Sequence, residues 1–335
     1  MRPAVVLAMR PELTPDFFTA DHWHRIAQFA DILDRAPIAD FADSRLADAL
    51  GRADILMTGW GCPLIDQDVL KRAPRLKLIA HTGSSVKAVI SDAAWSRGIL
   101  VTSSEAANAV QVTEYALAAI LLDNKGAFAT RESYRRERAP ARHPWTAPGE
   151  PGNFGAVVGI VGASRTARRL LDLLRNFEIE VLVYDPVAAE PEIRTLGAEP
   201  VTLAALFDRS DVISIHAPSL PQTRRMIDAA LLARLRDGAT IINTARGDVI
   251  DQDALERELV SGRICAVLDV TTPEPLLPSS RLLDLPNAFI TPHIAGAAGF
   301  ETRRLTDLAI DEMRRYAEGK PLLHGVMQDM LTRIG

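Results

Sequence analysis

Cysteine is nearly missing from this 335-residue chain: Cys62 and Cys265 are the only two. Two thiols cannot staple a scaffold of this length. They exclude a zinc site built from several cysteines and suit a reducing cytosol, so a cytoplasmic protein is expected. No sign of charge dominates either. Lys plus Arg number 38 against 43 Asp plus Glu, for a net charge of −5, which gives no general attraction to nucleic acid or to an anionic membrane. Long apolar runs are absent as well. The N-terminal run 4–9 is stopped by Arg10; it is too short for a signal sequence and reads as a first strand. The longest later run, 115–122, falls far below the ~18 residues that a membrane span needs. What remains is 47% hydrophobic and 24% charged, the balance of a folded chain with a real core. At about 150 residues per domain, the length suggests two domains.

Short apolar runs alternate with amphipathic stretches. Strands are expected at 4–9, 54–58, 76–80, 99–102, 157–161, 180–184, 212–216, 240–243, 264–268 and 288–291. Most are continuous Val/Ile/Leu runs, the mark of strands buried on both faces. Helical patterns lie between them. Leu170, Leu173, Leu174 and Phe177 share one helical face, and a helix opens near Asp251 with carboxylates in its first turn. A final helix is expected over about 301–317, with Leu305, Leu308, Met313 and Tyr316 inward, stopped by Gly319 and Pro321. Such alternation means α/β domains with parallel sheets. One segment breaks the rhythm: Pro140, Pro144, Pro148 and Pro151, with Gly149, Gly152 and Gly155, read as a poorly structured connection. The basic residues before it, Arg131, Arg135, Arg136 and Arg138, read as a solvated helix face with a Glu132–Arg136 pair.

The run Val157-Val158-Gly159-Ile160-Val161 leads into Gly162-Ala163-Ser164-Arg165-Thr166-Ala167 and then a helix. A dinucleotide-binding turn needs a first glycine for the bend and a second for close approach of backbone to the pyrophosphate. It also needs a small third residue for helix–strand packing. Gly162 and Ala167 meet the first and third needs. Ser164 departs from the second: its side chain would crowd the phosphate or hydrogen-bond to it. The next strand ends at Asp185, 23 positions past Gly162, where a carboxylate can grip ribose hydroxyls and repel an added phosphate. NADH is therefore expected over NADPH.

Three later segments complete a pattern: Ile241-Ile242-Asn243-Thr244-Ala245-Arg246-Gly247, Leu268-Asp269-Val270-Thr271-Thr272-Pro273-Glu274-Pro275, and Ile290-Thr291-Pro292-His293-Ile294-Ala295-Gly296. Together with the glycine turn they resemble the D-isomer-specific 2-hydroxyacid dehydrogenase family, over nearly the whole chain and most densely from Val157 to Gly296. The resemblance implies Arg246, Glu274 and His293 as the catalytic set, without a metal. It implies a cofactor site of Gly162, Ser164, Arg165, Thr166, Asp185, His216, Ala217, Pro218, Thr244 and Asp269, the last near the nicotinamide. It implies a substrate-carboxylate loop, His81 to Lys87, in which Gly83, Ser84 and Ser85 bind together with Arg246. Family members usually carry a second glycine and an acid where this chain has Ser85 and Lys87. Asn108 matches a position at the start of the domain-linking helix.

The residue types suit the chemistry. Oxidising a 2-hydroxy acid takes a proton from oxygen and a hydride from carbon. A histidine, with a reference pKa of ~6.5, suits the proton. Glu274 would hold the ring and favour its protonated form, and the Arg246 fork would clamp the carboxylate and polarise the carbonyl. Singly, each has a plain alternative: a loop cap for His293, a structural ion pair for Arg246, an exposed turn acid for Glu274. His22 and His24, flanking Trp23, read as a solvated helix end. His216 reads as packing near the cofactor. Trp60, in Thr58-Gly59-Trp60-Gly61-Cys62, suits a core aromatic and a lid over a substrate equally.

The expected fold is therefore α/β, with two doubly wound parallel-sheet domains, Rossmann-like or flavodoxin-like, and a cleft between them. By resemblance the first, substrate-binding domain is discontinuous, 1–104 with 300–335, and 105–299 is the NAD-binding domain. The expected function is hydride transfer between NAD(H) and a D-2-hydroxy acid/2-oxo acid pair by a homodimer without nucleic-acid or membrane partners. The alternative is a non-catalytic NAD(H)-binding redox sensor, like the corepressors in the same family.

Overall fold

The structure is a computed structural model that describes residues 2–43, 46–138 and 152–332. The prolines at 140, 144, 148 and 151 and Gly149 lie outside the described residues. The chain divides into two compact units, Met1–Asn108 with Ala297–Gly335, and Ala109–Gly296. These changeovers stand a few residues from the 104/105 and 299/300 of the sequence.

In the first unit, strands β1 (Ala4–Ala8), β2 (Asp31–Ile32), β3 (Ile55–Thr58), β4 (Leu78–His81) and β5 (Leu100–Ser103) form a parallel sheet. Its order is β5-β4-β3-β1-β2, and Gly325–Val326 pairs antiparallel on the outer edge of β5. Successive strand residues point to opposite faces, and the core follows that alternation. Val6, Ala8, Leu56, Ile79 and Val101 enter one apolar cluster. Val5, Leu7, Met9, Ile55, Met57, Leu78 and Ala80 enter another, which Ala309, Ile310 and Met313 of the helix Thr302–Ala317 complete. That helix brings the chain's end back to the first sheet. Buried Glu312 then anchors the segment beyond the helix, accepting from the Leu323 and His324 amides at 3.0 Å each.

The second unit holds β6 (Val157–Val161), β7 (Glu180–Tyr184), β8 (Glu199–Pro200), β9 (Val212–Ile215), β10 (Thr240–Asn243), β11 (Cys265–Leu268) and β12 (Ala288–Ile290). All are parallel, in the order β12-β11-β10-β9-β6-β7-β8. The order reverses between β6 and β9, and ligands of open α/β sheets bind beyond the carboxyl ends of strands at such a point. Apolar clusters again cover both faces. The fold is thus two parallel-sheet α/β units, as expected.

All ten expected strands form, with ends moved by at most two residues. Three two-residue edge strands, Asp31–Ile32, Glu199–Pro200 and Gly325–Val326, were not foreseen, because two residues carry no period. One packing expectation fails. Phe177 lies beyond the helix Arg165–Leu174 and is exposed; the buried face is Ala167, Leu170, Leu171 and Leu174. In the helix Ala127–Glu137, Arg136 pairs with Glu137 at 3.0 Å rather than with Glu132, whose oxygen serves Arg131 and Arg135. Among the described residues no helix is long and apolar enough to cross a membrane.

Candidate active site

The β6 turn of the second unit is shaped by close backbone approach. Gly162 sits at φ 94°, and a Cβ there would stand 2.9 Å from the Ala217 amide nitrogen. A side chain is thus excluded twice, by conformation and by the segment that leaves β9. Ser164 is the N-cap of the helix Arg165–Leu174; its hydroxyl accepts from the Ala167 amide at 3.4 Å. This explains serine at a position where the motif has glycine: the hydroxyl is turned to the helix. Among the described residues the amides of Ser164, Arg165 and Thr166 have no acceptor, so the helix N-terminus presents free donors for an anion. Asp185 ends β7, as expected, but its carboxylate is already in use. Oδ2 accepts from the Ala163 amide at 2.6 Å, and Oδ1 from Val187 and Ala188 at 2.7 and 2.8 Å. It braces the turn at the strand end. Beyond β9, His216 is buried, with Nε2 2.9 Å from the Ser214 hydroxyl, and burial pushes its pKa down to about 4. It is a neutral packing group beside Ala217 and Pro218. At the end of β10, the Thr244 hydroxyl is buried without a partner among the described residues. An anion-ready helix end, a glycine cradle and an orphaned buried hydroxyl together fit a dinucleotide.

Loops after β10, β11 and β12 carry the side chains expected to react. His293 Nδ1 lies 2.5 Å from Glu274 Oε1, with both side chains about half exposed. The backbone of His293 is left-handed at φ 57° and donates to the carbonyls of Asp269 and Thr291 at 2.9 and 3.0 Å. Buried Asp269 holds the same loop by its side chain: Oδ1 accepts from the Thr291 hydroxyl at 2.6 Å and the Ile294 amide at 2.7 Å, Oδ2 from Ala295 at 2.8 Å. Because Thr291 spends its proton on Asp269, the Tyr115 hydroxyl, 2.7 Å away, is the donor to Thr291. Burial raises the Tyr115 pKa and keeps that donor protonated. Asp269, expected beside the nicotinamide, also sets the histidine loop. Tyr115 was not foreseen at all, since a tyrosine within an apolar helical run gives no sign of a distant partner.

Arg246 follows β10. Its Nη1 donates to the Ala245 carbonyl at 2.6 Å, and no carboxylate pairs with it among the described residues. The Asn243 side chain ties the turn, donating to Arg246 O and accepting from the Ala245 amide. A Cβ on Gly247 would lie 2.7 Å from Thr271 Cα and closer still to its carbonyl. The arginine turn is therefore pressed against the loop that carries Glu274. This puts a guanidinium that has no carboxylate partner among the described residues, a carboxylate and an imidazole on neighbouring loops at one end of one sheet.

In the first unit, the loop after β4 contains Gly83, Ser84 and Ser85. A Cβ on Gly83 would lie 2.5 Å from buried His81 Nε2. His81 Nδ1 is 2.9 Å from the Thr58 hydroxyl, and burial pushes its pKa down to about 4. Among the described residues the amides of Gly83, Ser84 and Ser85 find no acceptor, which suits them to a carboxylate. Asn108 accepts from the Ala297 amide at 2.9 Å. The reading of His22 as solvated is overturned. It is buried, shares a capping box with Thr19, and reaches Asp307 at 3.2 Å; His24 is exposed.

These features are those of a dinucleotide-binding α/β protein with an imidazole–carboxylate pair and a nearby guanidinium. Residues 117–295 match the family model described as D-isomer specific 2-hydroxyacid dehydrogenase, NAD binding domain. Over 79% of its length the chain is 34% identical to D-3-phosphoglycerate dehydrogenase of Mycobacterium tuberculosis, covering 49% of that protein. It is 32% identical to hydroxypyruvate reductase of Thermotoga maritima, covering 74% of this chain and 79% of the other. The apo structure of D-mandelate dehydrogenase from Rhodotorula graminis superimposes with a TM-score of 0.81, 26% identity and 98% coverage of both chains. The chain belongs to the D-isomer-specific 2-hydroxyacid dehydrogenase family, and its second unit contains that family's NAD-binding domain. It spans about half the length of the phosphoglycerate dehydrogenases it matches.

Proposed function

We propose that the protein interconverts a D-2-hydroxy acid and its 2-oxo acid at the expense of NAD(H). The observation that carries this reading is the His293–Glu274 pair at 2.5 Å, fixed on a loop that buried Asp269 holds through three hydrogen bonds. The bound nicotinamide supplies or takes the hydride. In the reducing direction His293 delivers the proton to the substrate's carbonyl oxygen, and Glu274 orients the ring and balances its charge. Arg246, unpaired, binds the substrate carboxylate and polarises the carbonyl through its forked donors. In the first unit, the amides of Gly83, Ser84 and Ser85 are donors suited to a carboxylate. The free amides of Ser164, Arg165 and Thr166 receive the pyrophosphate, and Thr244 lends its unused hydroxyl. Asp185 sets the preference for NADH: its carboxylate stands where the ribose hydroxyls come and opposes the extra phosphate of NADPH. The family's usual state is a homodimer, and with two unpaired thiols a cytoplasmic location suits it.

Monitoring NADH oxidation with a panel of 2-oxo acids tests the reading. Turnover of at least one acid, with a lower efficiency for NADPH, is expected. NADH binding without turnover of any acid would favour a redox sensor instead.

A further inference from the structure

The parallel sheet of the first unit has a reversal point of its own, between β1 and β3. Beyond the carboxyl ends of these strands and of β4, three segments run side by side. The Gly59 amide donates to Ala8 O at 3.0 Å and the Arg10 amide to Trp60 O at 3.0 Å. On the other side, the Thr82 amide donates to Thr58 O at 2.7 Å, extending the Thr58–His81 register. A Cβ on Gly59 would come 2.8 Å from Thr82 Oγ1. Thr58 and His81 are register partners, so Trp60 and Gly83, the first residue of the loop with three unused amides, each stand two residues past the end of neighbouring strands.

Local structure holds Trp60 in that place. It begins a turn closed by the Cys62 amide on Gly59 O at 3.1 Å, with Gly61 at φ 79°. Its ring stands edge-on to Phe17, centroids 5.1 Å apart. Phe17 is wholly buried, whereas Trp60 keeps 38% of its surface exposed. A large aromatic ring backed by the core and left open to solvent on one side is a preformed apolar wall. Arg10 lies one strand further from the loop, its side chain against Gly61 from Cγ to Nε, and Lys87 is already engaged.

We propose that Trp60 sets the substrate class, and this rests on the dehydrogenase reading above. With the carboxylate on the Gly83–Ser85 amides, the substrate's side chain meets the indole before it meets any cation of this sheet end. The preferred 2-oxo acids therefore carry a bulky, uncharged side chain with an apolar face, aromatic or branched aliphatic, rather than a hydrogen atom or a phosphate.

The test compares phenylpyruvate, 4-methyl-2-oxopentanoate, glyoxylate and phosphohydroxypyruvate as substrates with NADH. The two apolar acids are expected to exceed the other two in kcat/KM by about tenfold or more. In Trp60→Ala the ratio of apolar acid to glyoxylate efficiency should fall about 10- to 200-fold, mostly through KM. Trp60→Phe should keep most of it and covers the case in which the alanine variant does not fold. Equal or better use of glyoxylate or phosphohydroxypyruvate by the native protein overturns the proposal, and the phosphorylated case would point to Arg10. An unchanged ratio in Trp60→Ala also overturns it. NADH binding with no turnover of any of the four refutes the dehydrogenase reading, and the proposal falls with it.

Discussion

Gly247 offers a clean way to ask whether the arginine turn and the glutamate loop must fit together. Its φ lies outside the left-handed region, so alanine can adopt the backbone there and any effect is steric. The added Cβ would stand 2.7 Å from Thr271 Cα, and nearer to the Thr271 carbonyl. Carbon atoms rest about 3.5–4.0 Å apart, so one loop must yield by roughly 1 Å. The obstacle is backbone, which cannot rotate aside as a side chain can. Overpacking of this kind costs about 1–3 kcal/mol. The displaced segments carry Arg246 on one side and Glu274, with its histidine partner, on the other. A misplacement of about 1 Å can cost a hundredfold in rate. Gly247→Ala is therefore expected to lose about two orders of magnitude in kcat/KM for 2-oxo acid reduction. NADH affinity, titrated by fluorescence, should change far less than turnover, because the Gly162 turn is elsewhere in the unit and only Thr244 lies close to the change. Steady-state kinetics on the folded variant within threefold of wild type would show that the two loops do not constrain one another.

Asp269→Asn keeps the size but turns an NH2 group toward at least one donor among Thr291, Ile294 and Ala295; losing a charge-assisted bond at a buried site should cost about 2–3 kcal/mol. Turnover should drop with the loosened histidine loop, and a wild-type urea midpoint would contradict this. Arg246→Ala should raise KM and lower kcat together, and Arg246→Lys should recover little, since one ammonium cannot copy a forked donor; full recovery by lysine in a kinetic comparison would remove the clamp. For pH, His81 and His216 stay neutral in the fold, with pKa values pushed to about 4, while the unfolded chain takes up protons near 6.5. Their stabilising effect is thus complete above about pH 6.5 and is lost as pH falls toward 4, by up to about 3 kcal/mol per histidine. Unfolding midpoints that stay level between pH 7.5 and 4.5 would refute it.

The strand–helix frame was legible because doubly buried parallel strands must be continuous apolar runs, and the runs from β6 to β12 are separated by turns with plain glycine and acid signals. The proposed set of Arg246, Glu274 and His293 could be picked out because each lies in a loop that follows a strand, within a recognisable segment. Long-range partnerships were hidden. Nothing in the local sequence ties Tyr115 to Thr291, 176 positions on, or His22 to Asp307, 285 positions on. The capping role of Ser164 could have been foreseen, since serine directly before a helix is a capping signal; the dinucleotide pattern drew the residue toward phosphate instead. Trp60 stayed undecided in the sequence because exposure depends on what packs behind the ring, and Phe17 comes from a different segment.

The central claim is that His293, paired with Glu274, moves the proton in an NADH-dependent reduction. Single-turnover oxidation of pre-bound NADH by a 2-oxo acid that the native protein reduces, compared between wild type and His293→Gln, tests it most directly. The rate in the variant is expected to fall by about 10²- to 10⁴-fold, with NADH affinity within twofold of wild type. A variant that turns over as fast as the native protein would contradict it.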